Sequence, residues 1–85
     1  KDLKKRSSHQ LLNLSDEVEI LGYSFTIEGA PGDLRQSYNE GELISSATRN
    51  LINKVTKGKL IVIEKITGIK KGAETKFPAV VYKVI

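Results

Sequence analysis

The sequence holds no cysteine, methionine or tryptophan, and only one histidine, two prolines, three tyrosines and two phenylalanines in 85 residues. Without cysteine there is no disulfide framework, no thiolate metal site and no thiol nucleophile, while the choice between an oxidising and a reducing compartment stays open. The histidine, His9, falls in a polar N-terminal stretch, so no Ser/His/Asp or Cys/His set assembles near a core, and a nucleophilic hydrolase is excluded. With so few aromatics, and with Phe25 and Phe77 in apolar alternation, the sequence offers no exposed platform for stacking single-stranded bases. Arginine, the usual reader of bases, stands only at positions 6, 35 and 49. No apolar run approaches the roughly 18–20 residues needed to cross a bilayer, and the N-terminus lacks the apolar region of a signal peptide. The chain opens on Lys1 without an initiating methionine, so the expectation is a water-soluble domain of a longer protein, with any targeting or membrane segment outside it.

What is present fits one small domain. A chain of 85 residues buries about 60–65% of the surface its unfolded form exposes, which leaves little room for an enclosed catalytic pocket. A hydrophobic fraction of 39% and a charged fraction of 28% are ordinary for a globular chain. The net charge of +4 is unevenly placed: from Ser7 to Glu42 one base, Arg35, faces seven acids, whereas from Leu43 to Ile85 nine bases face only Glu64 and Glu74. Such a field steers a protein partner of mixed charge at least as well as a nucleic acid, and a plain solvated surface accounts for it equally.

Residues 1–9 are polar and basic without periodicity and read as a flexible arm or linker; residues 10–85 read as a single module. Leu11, Leu12 and Leu14 suit either a short strand or a helical turn. Val18 and Ile20, then Tyr23, Phe25 and Ile27, alternate with polar residues as a strand does, but the parity changes across Leu21-Gly22. One extra residue there restores a common face, so a β-bulge or tight bend is expected at Gly22. Gly29 to Asp33 is a turn cluster, and Leu34 to Tyr38 is a weak strand ending at Asn39-Glu40-Gly41. Ile44, Ala47, Leu51, Ile52 and Val55 form one stripe of a helix over Ile44–Lys57, with Arg49, Asn50, Asn53, Lys54 and Lys57 opposite. Ser45 or Ser46 suits its N-cap and Gly58 a left-handed stop. Leu60-Ile61-Val62-Ile63 is apolar enough to be a central strand covered on both sides. It continues through Ile66 and Ile69 to a hairpin tip at Lys70-Lys71-Gly72, and returns from Thr75 to Ile85 with Phe77, Val81 and Ile85 on one side and Val80, Tyr82 and Val84 on the other. Pro78, having no N–H, belongs at an edge, a bulge or a strand start.

Candidate chemistry is sparse. Asp16-Glu17-x-Glu19 has oxygen ligands but neither the alternation nor the glycine of a calcium loop, and reads as a solvated strand edge. Gly29-Ala30-Pro31-Gly32 lacks the Lys-Ser/Thr of a phosphate cradle and reads as a plain turn. Nothing brings Glu28, Asp33, Glu40 or Glu42 together as an acid–base pair. The expectation is therefore a protein that is not an enzyme and carries no metal or cofactor. A basic hairpin with Lys65, Lys70, Lys71 and Lys76 offers phosphate contacts and supports a nucleic-acid-binding alternative; for a protein partner, the candidate contacts are Arg49, Lys54, Lys70, Lys71 and Lys76.

Gly41-Glu42-Leu43-Ile44-Ser45-Ser46, a helix closing at Lys57-Gly58, the strand Lys59 to Ile66 and the alternating Val80 to Ile85 together resemble the C-terminal domain of GldM/PorM-type proteins of the type IX secretion and gliding-motility machinery. The likeness covers about the last two-thirds of the chain; Ile69 to Gly72 stand where that family has a Pro-Asp-Gly-like turn. The resemblance implies a periplasmic, non-catalytic domain of a dimeric, inner-membrane-anchored protein that contacts other envelope subunits, ring components among them. From the residues themselves the expected fold is α+β, a small mostly antiparallel sheet in β-β-α-β-β order with one amphipathic helix packed on it. Truncating Leu51 to alanine is expected to cost about 2–5 kcal/mol.

Overall fold

A computed structural model describes residues 6–28 and 32–84. Along the chain run α1 (Ser8–Leu12), β1 (Glu19–Glu28), β2 (Leu34–Glu40), α2 (Ser46–Lys54), β3 (Leu60–Lys70), β4 (Ala73–Phe77) and β5 (Val80–Lys83). The strands form one antiparallel sheet in the order β2-β1-β3-β4, with β5 also on β3. The expected α+β class and its β-β-α-β-β core are present, with a further short helix in front and the last strand in two pieces.

That first helix begins inside the expected N-terminal arm, and residues 1–5 lie outside the described residues. Ser7 accepts from the Gln10 amide while the Gln10 side chain accepts from the Ser7 amide, a capping box that satisfies two orphan donors at once. Asn13 closes the helix in the left-handed conformation. Ser8, Leu11 and Leu12 are buried, so His9 belongs to the packed fold rather than to a flexible arm. Its Nε2 donates to the Val18 carbonyl at 2.7 Å. The readable signal was the Ser-x-x-Gln spacing.

The bend at Gly22 is a double register shift. Ile20 faces Gly68, Gly22 faces Thr67 and Ser24 faces Glu64, so an extra residue falls first on β1 and then on β3. The second irregularity sits at Lys65, whose φ of 55° is left-handed. It lies across from Pro78-Ala79: Ile66 pairs with Phe77 and Ile63 with Val80, leaving two residues unpaired on each strand. Because of that break Phe77 joins Val80, Tyr82 and Val84 against the core, and the expected grouping of Phe77 with Val81 is wrong; Val81 is exposed and Ile85 lies outside the described residues. The tip at Lys71-Gly72 forms as expected, with φ of 52° and 80°, the paired left-handed residues that a two-residue hairpin turn needs.

The core is the face made by Ile20, Tyr23, Phe25 and Ile27 of β1 with Ile61, Ile63 and Ile66 of β3, covered by Leu11 and Leu12 of α1 and Leu51 and Ile52 of α2. The expected helix is shortened at both ends. Ser45 is the N-cap, its hydroxyl accepting from the Thr48 amide, and Val55 is already extended, as suits β-branched Val55-Thr56. Gly58 serves a separate turn in which the Lys59 amide donates to the Thr56 carbonyl. Ala47, expected on the buried stripe, is exposed, and Thr48 is buried in its place. Thr48 is tolerated there because its hydroxyl meets Ser37 Oγ at 3.3 Å and Ser45 Oγ at 3.1 Å. Ala47→Glu should therefore change stability by no more than about 0.5 kcal/mol. Leu51→Ala should cost about 2 kcal/mol, the low end of the range, because Leu51 lies at the rim of the core. Urea unfolding of the two variants checks both.

Both described helices lie on that one face, so the strand expected to be covered at least partly on both sides is covered fully on one and in part on the other: Ile61 and Ile63 are fully buried, Val62 is half-buried and Leu60 is 44% exposed. Within the core Tyr23 Oη meets Ser8 Oγ at 2.8 Å. Burial pushes its phenol above the usual 10.0, against smaller opposing pulls from that hydrogen bond and from the Arg49 charge. Above pH 10.0 the unfolded chain releases this proton and the folded chain keeps it, so stability is full below that pH and falls above it. In Tyr23→Phe that alkaline decline should flatten, measured as unfolding midpoints from about pH 9 to 11.

Candidate protein-binding edge

The two borders of the sheet are unlike. On the β4–β5 side the ladder is interrupted at Pro78-Ala79 and bordered by exposed Lys76 and Lys83, devices that discourage another strand from pairing. On the other side β2 runs for seven residues, Leu-Arg-Gln-Ser-Tyr-Asn-Glu, without proline, lysine or bulge.

Its hydrogen-bond phase follows from one contact. The Gly41 amide donates to the Leu21 carbonyl at 2.8 Å, and Gly22 faces Glu40, so Arg35, Ser37 and Asn39 are the residues that bond to β1. In an antiparallel ladder the alternate residues point their backbone groups the other way. Leu34, Gln36, Tyr38 and Glu40 thus present amide and carbonyl groups to the open side. Leu34 is 68% exposed, Tyr38 55% and the nearby Leu43 87%, so large apolar side chains flank the unpaired backbone.

Asn39 holds this edge in place. It is fully buried; its Oδ1 accepts from the Ser45 amide at 2.8 Å, and its Nδ2 donates to the Leu43 and Gly41 carbonyls at 2.9 and 3.2 Å. One side chain thus makes three bonds to the connection from β2 into α2, which Ser8, donating to the Glu42 carbonyl, and Glu42, accepting from the Ile20 amide, hold as well. Because Asn39 meets Ser45 and Ser37 meets Thr48, α2 runs back along β2, antiparallel to it. Arg49 is half-buried and Thr48, buried beside it, meets Ser37 of β2. Ala47 and Lys54 are exposed on the helix, and Leu51 turns into the core.

The expected contact residues are not gathered in one place. Arg49 faces inward and Lys54 closes α2 beside the start of β2. Lys70 and Lys71 form the hairpin tip, and Lys76 lies on β4 across the sheet. The uncovered face does hold an exposed aromatic, contrary to expectation. Tyr38 lies over Gly22, where a Cβ would stand 2.3 Å from the tyrosine hydroxyl, in a trough of about 480 Å³ shared with Lys65, Thr67 and Lys76. Half-buried Phe77 lines the same trough.

Among the described residues no three His, Asp or Glu side chains gather where they would hold a metal, and the histidine, His9, has its Nε2 3.8 Å from Glu42 Oε2. A cleft of about 480 Å³ between α1 and the Pro78-Ala79 link has Arg6 over the Tyr82 ring at 6.0 Å and no carboxylate in its lining. No helix among the described residues is long and apolar enough to cross a membrane. No family model matches the chain, and neither a curated protein nor a solved structure matches it.

Proposed function

We propose that this chain is a non-catalytic protein–protein interaction domain that receives an extended segment of another subunit at β2. The observation that carries the reading is the unguarded seven-residue border with its outward amides, set against an opposite border that is interrupted and lysine-bearing. Natural sheets protect their borders, and one left open next to exposed Leu34 and Tyr38 supplies main-chain bonds for affinity and side-chain contacts for specificity. The likeness at Gly41–Ser46 and Lys59–Ile66 to the GldM/PorM C-terminal domain supports a cell-envelope setting, a periplasmic location and partners among envelope ring subunits.

A photo-cross-linking amino acid placed at Gln36 or Glu40 in the producing cell should give a discrete protein adduct, and the same group at Lys57 should give none. Adducts equally strong from Lys57, or none from β2, would count against the reading. Nucleic acid, the alternative through Lys65 and Lys70 to Lys76, is tested by electrophoretic shift with single-stranded and duplex oligonucleotides across a salt series; tight, salt-dependent binding would displace the protein reading.

A further inference from the structure

We infer that the cleft between α1 and the Pro78-Ala79 link binds a single carboxylate carried on a short apolar body, with Arg6 as the group that holds it. The site lies at the β4–β5 border, across the sheet from β2, and does not depend on strand addition there. Three features of the cleft carry this.

The first is the state of Arg6. Its guanidinium lies over the Tyr82 ring at 6.0 Å, and that ring is fixed at its far end, where the Tyr82 hydroxyl donates to the Leu11 carbonyl. Arg6 is half-buried, and among the described residues no ion pair or hydrogen bond engages its N–H groups. A guanidinium stacked on an aromatic face keeps its planar edge of donors available, and that fork matches the two oxygens of a carboxylate. Gln10 lines the same cleft. Its side-chain oxygen is taken by the Ser7 amide, so what remains of its polar end is the donor amino group, which also suits an anion.

The second is the lining. The ladder to β3 is broken between Phe77 and Val80, and the cleft opens at that break. Its apolar walls come from Leu12, Leu14, Pro78 and Val80, and no Asp or Glu stands among them. At about 480 Å³ it falls within the range of small-ligand sites, and such walls take a hydrocarbon body while disfavouring a second charge. The third feature is the number of cations, because Arg6 is the only one lining the cleft among the described residues. A phosphate monoester brings about 1.5–2 negative charges at neutral pH, more than one guanidinium matches, whereas a carboxylate brings one. A carboxylate on an apolar body has two sources, a free aliphatic acid and the chain-terminal residue of a peptide, and both present the same chemistry to Arg6.

The test titrates octanoate, and separately acetyl-alanyl-valyl-leucine with a free C-terminus, into the ¹⁵N-labelled chain, beside octanamide and the same peptide amidated at its C-terminus. The acid should saturably shift the amide signals of Leu12, Leu14, Ala79 and Val80, and should bind at least about tenfold more tightly than its neutral counterpart, the share of one charge-assisted pair. Arg6→Gln, outside the apolar core, should weaken the acid by at least about tenfold and leave the neutral form unchanged, with an unaltered unfolding midpoint showing that the loss is not one of folding. Should that variant not fold, the comparison of acid with amide on the unaltered chain still decides. A response to octanoate alone supports the site and assigns it to a free aliphatic acid; a response to the peptide alone supports it and assigns it to a chain terminus; a response to both supports the shared chemistry. Equal affinity for acid and amide, unchanged affinity in a folded Arg6→Gln chain, the same shifts produced by inorganic phosphate, shifts that map to β2 instead, or no response to either acid would each overturn it. None of these outcomes bears on the photo-cross-link at β2, so strand addition stands or falls separately.

Discussion

Phe25→Ala should lower the unfolding free energy by about 3–5 kcal/mol. Phe25 is fully buried in β1, an interior strand, and is held between Ser37 of β2 and Ile63 of β3. Its removal takes away a large ring and leaves a cavity into which β1, pinned by a ladder on each side, cannot collapse. A domain of this length has about 4–13 kcal/mol in all, so the loss removes a large share of it. A chemical denaturation curve reads this as a shifted midpoint with an unchanged slope. A loss below about 1 kcal/mol would mean that the β1 side chains are not packed as described.

Asn39→Leu should cost about 3 kcal/mol or more, although leucine is more apolar and close in size. Three backbone groups would lose their partner together: the Ser45 amide, and the Gly41 and Leu43 carbonyls. The three bonds are part-buried, so each lost partner costs near the low end of about 1–3 kcal/mol. The loss has a local signature, because Ser45 caps α2 and the segment from Gly41 to Ser45 joins that helix to β2. Hydrogen exchange should therefore quicken first in α2 and in the Gly41 amide, ahead of Ile61 and Ile63. Uniform acceleration across the sheet would instead show that Asn39 acts only through global stability.

How far such features are legible from residues alone depends on what kind of partner each one needs. The bend at Gly22 and the turn at Lys71-Gly72 are legible because parity and left-handed propensity are properties of a few adjacent residues. The buried stripe of α2 is one position out at Ala47 because Thr48 is accommodated by hydroxyls that an apolar pattern does not count, those of Ser45 and of Ser37, eleven residues earlier. Leu60 to Ile63 reads as covered on both sides, since an apolar run reports a capacity for burial and not the number of layers that arrive to use it. The border at β2 is the least legible: Leu34 to Glu40 has weak strand composition, and only the order β2-β1-β3 reveals that nothing lies beyond it. The residues expected to bind a partner were chosen by charge, which marks exposure and says little about which exposed groups share a groove. Lys54 alone among them lies beside β2.

The strand order also governs how the sheet is assembled in time. β1 lies between β2, its neighbour in the chain, and β3, which arrives only after the passage through β2 and α2. The β1–β2 and β3–β4 hairpins are local and close quickly, whereas Phe25 meets Ile63 only once the long connection has been gathered in, and that loss of chain freedom comes before its compensating burial. Until then β1 is itself an unpaired border, richly apolar through Ile20, Tyr23, Phe25 and Ile27. From this topology the docking of β3 onto β1 is the step expected to be slow. During that interval the more adhesive strand of the molecule is the one that ends up hidden at its centre, which makes prompt docking of β3 the protection against self-association during synthesis.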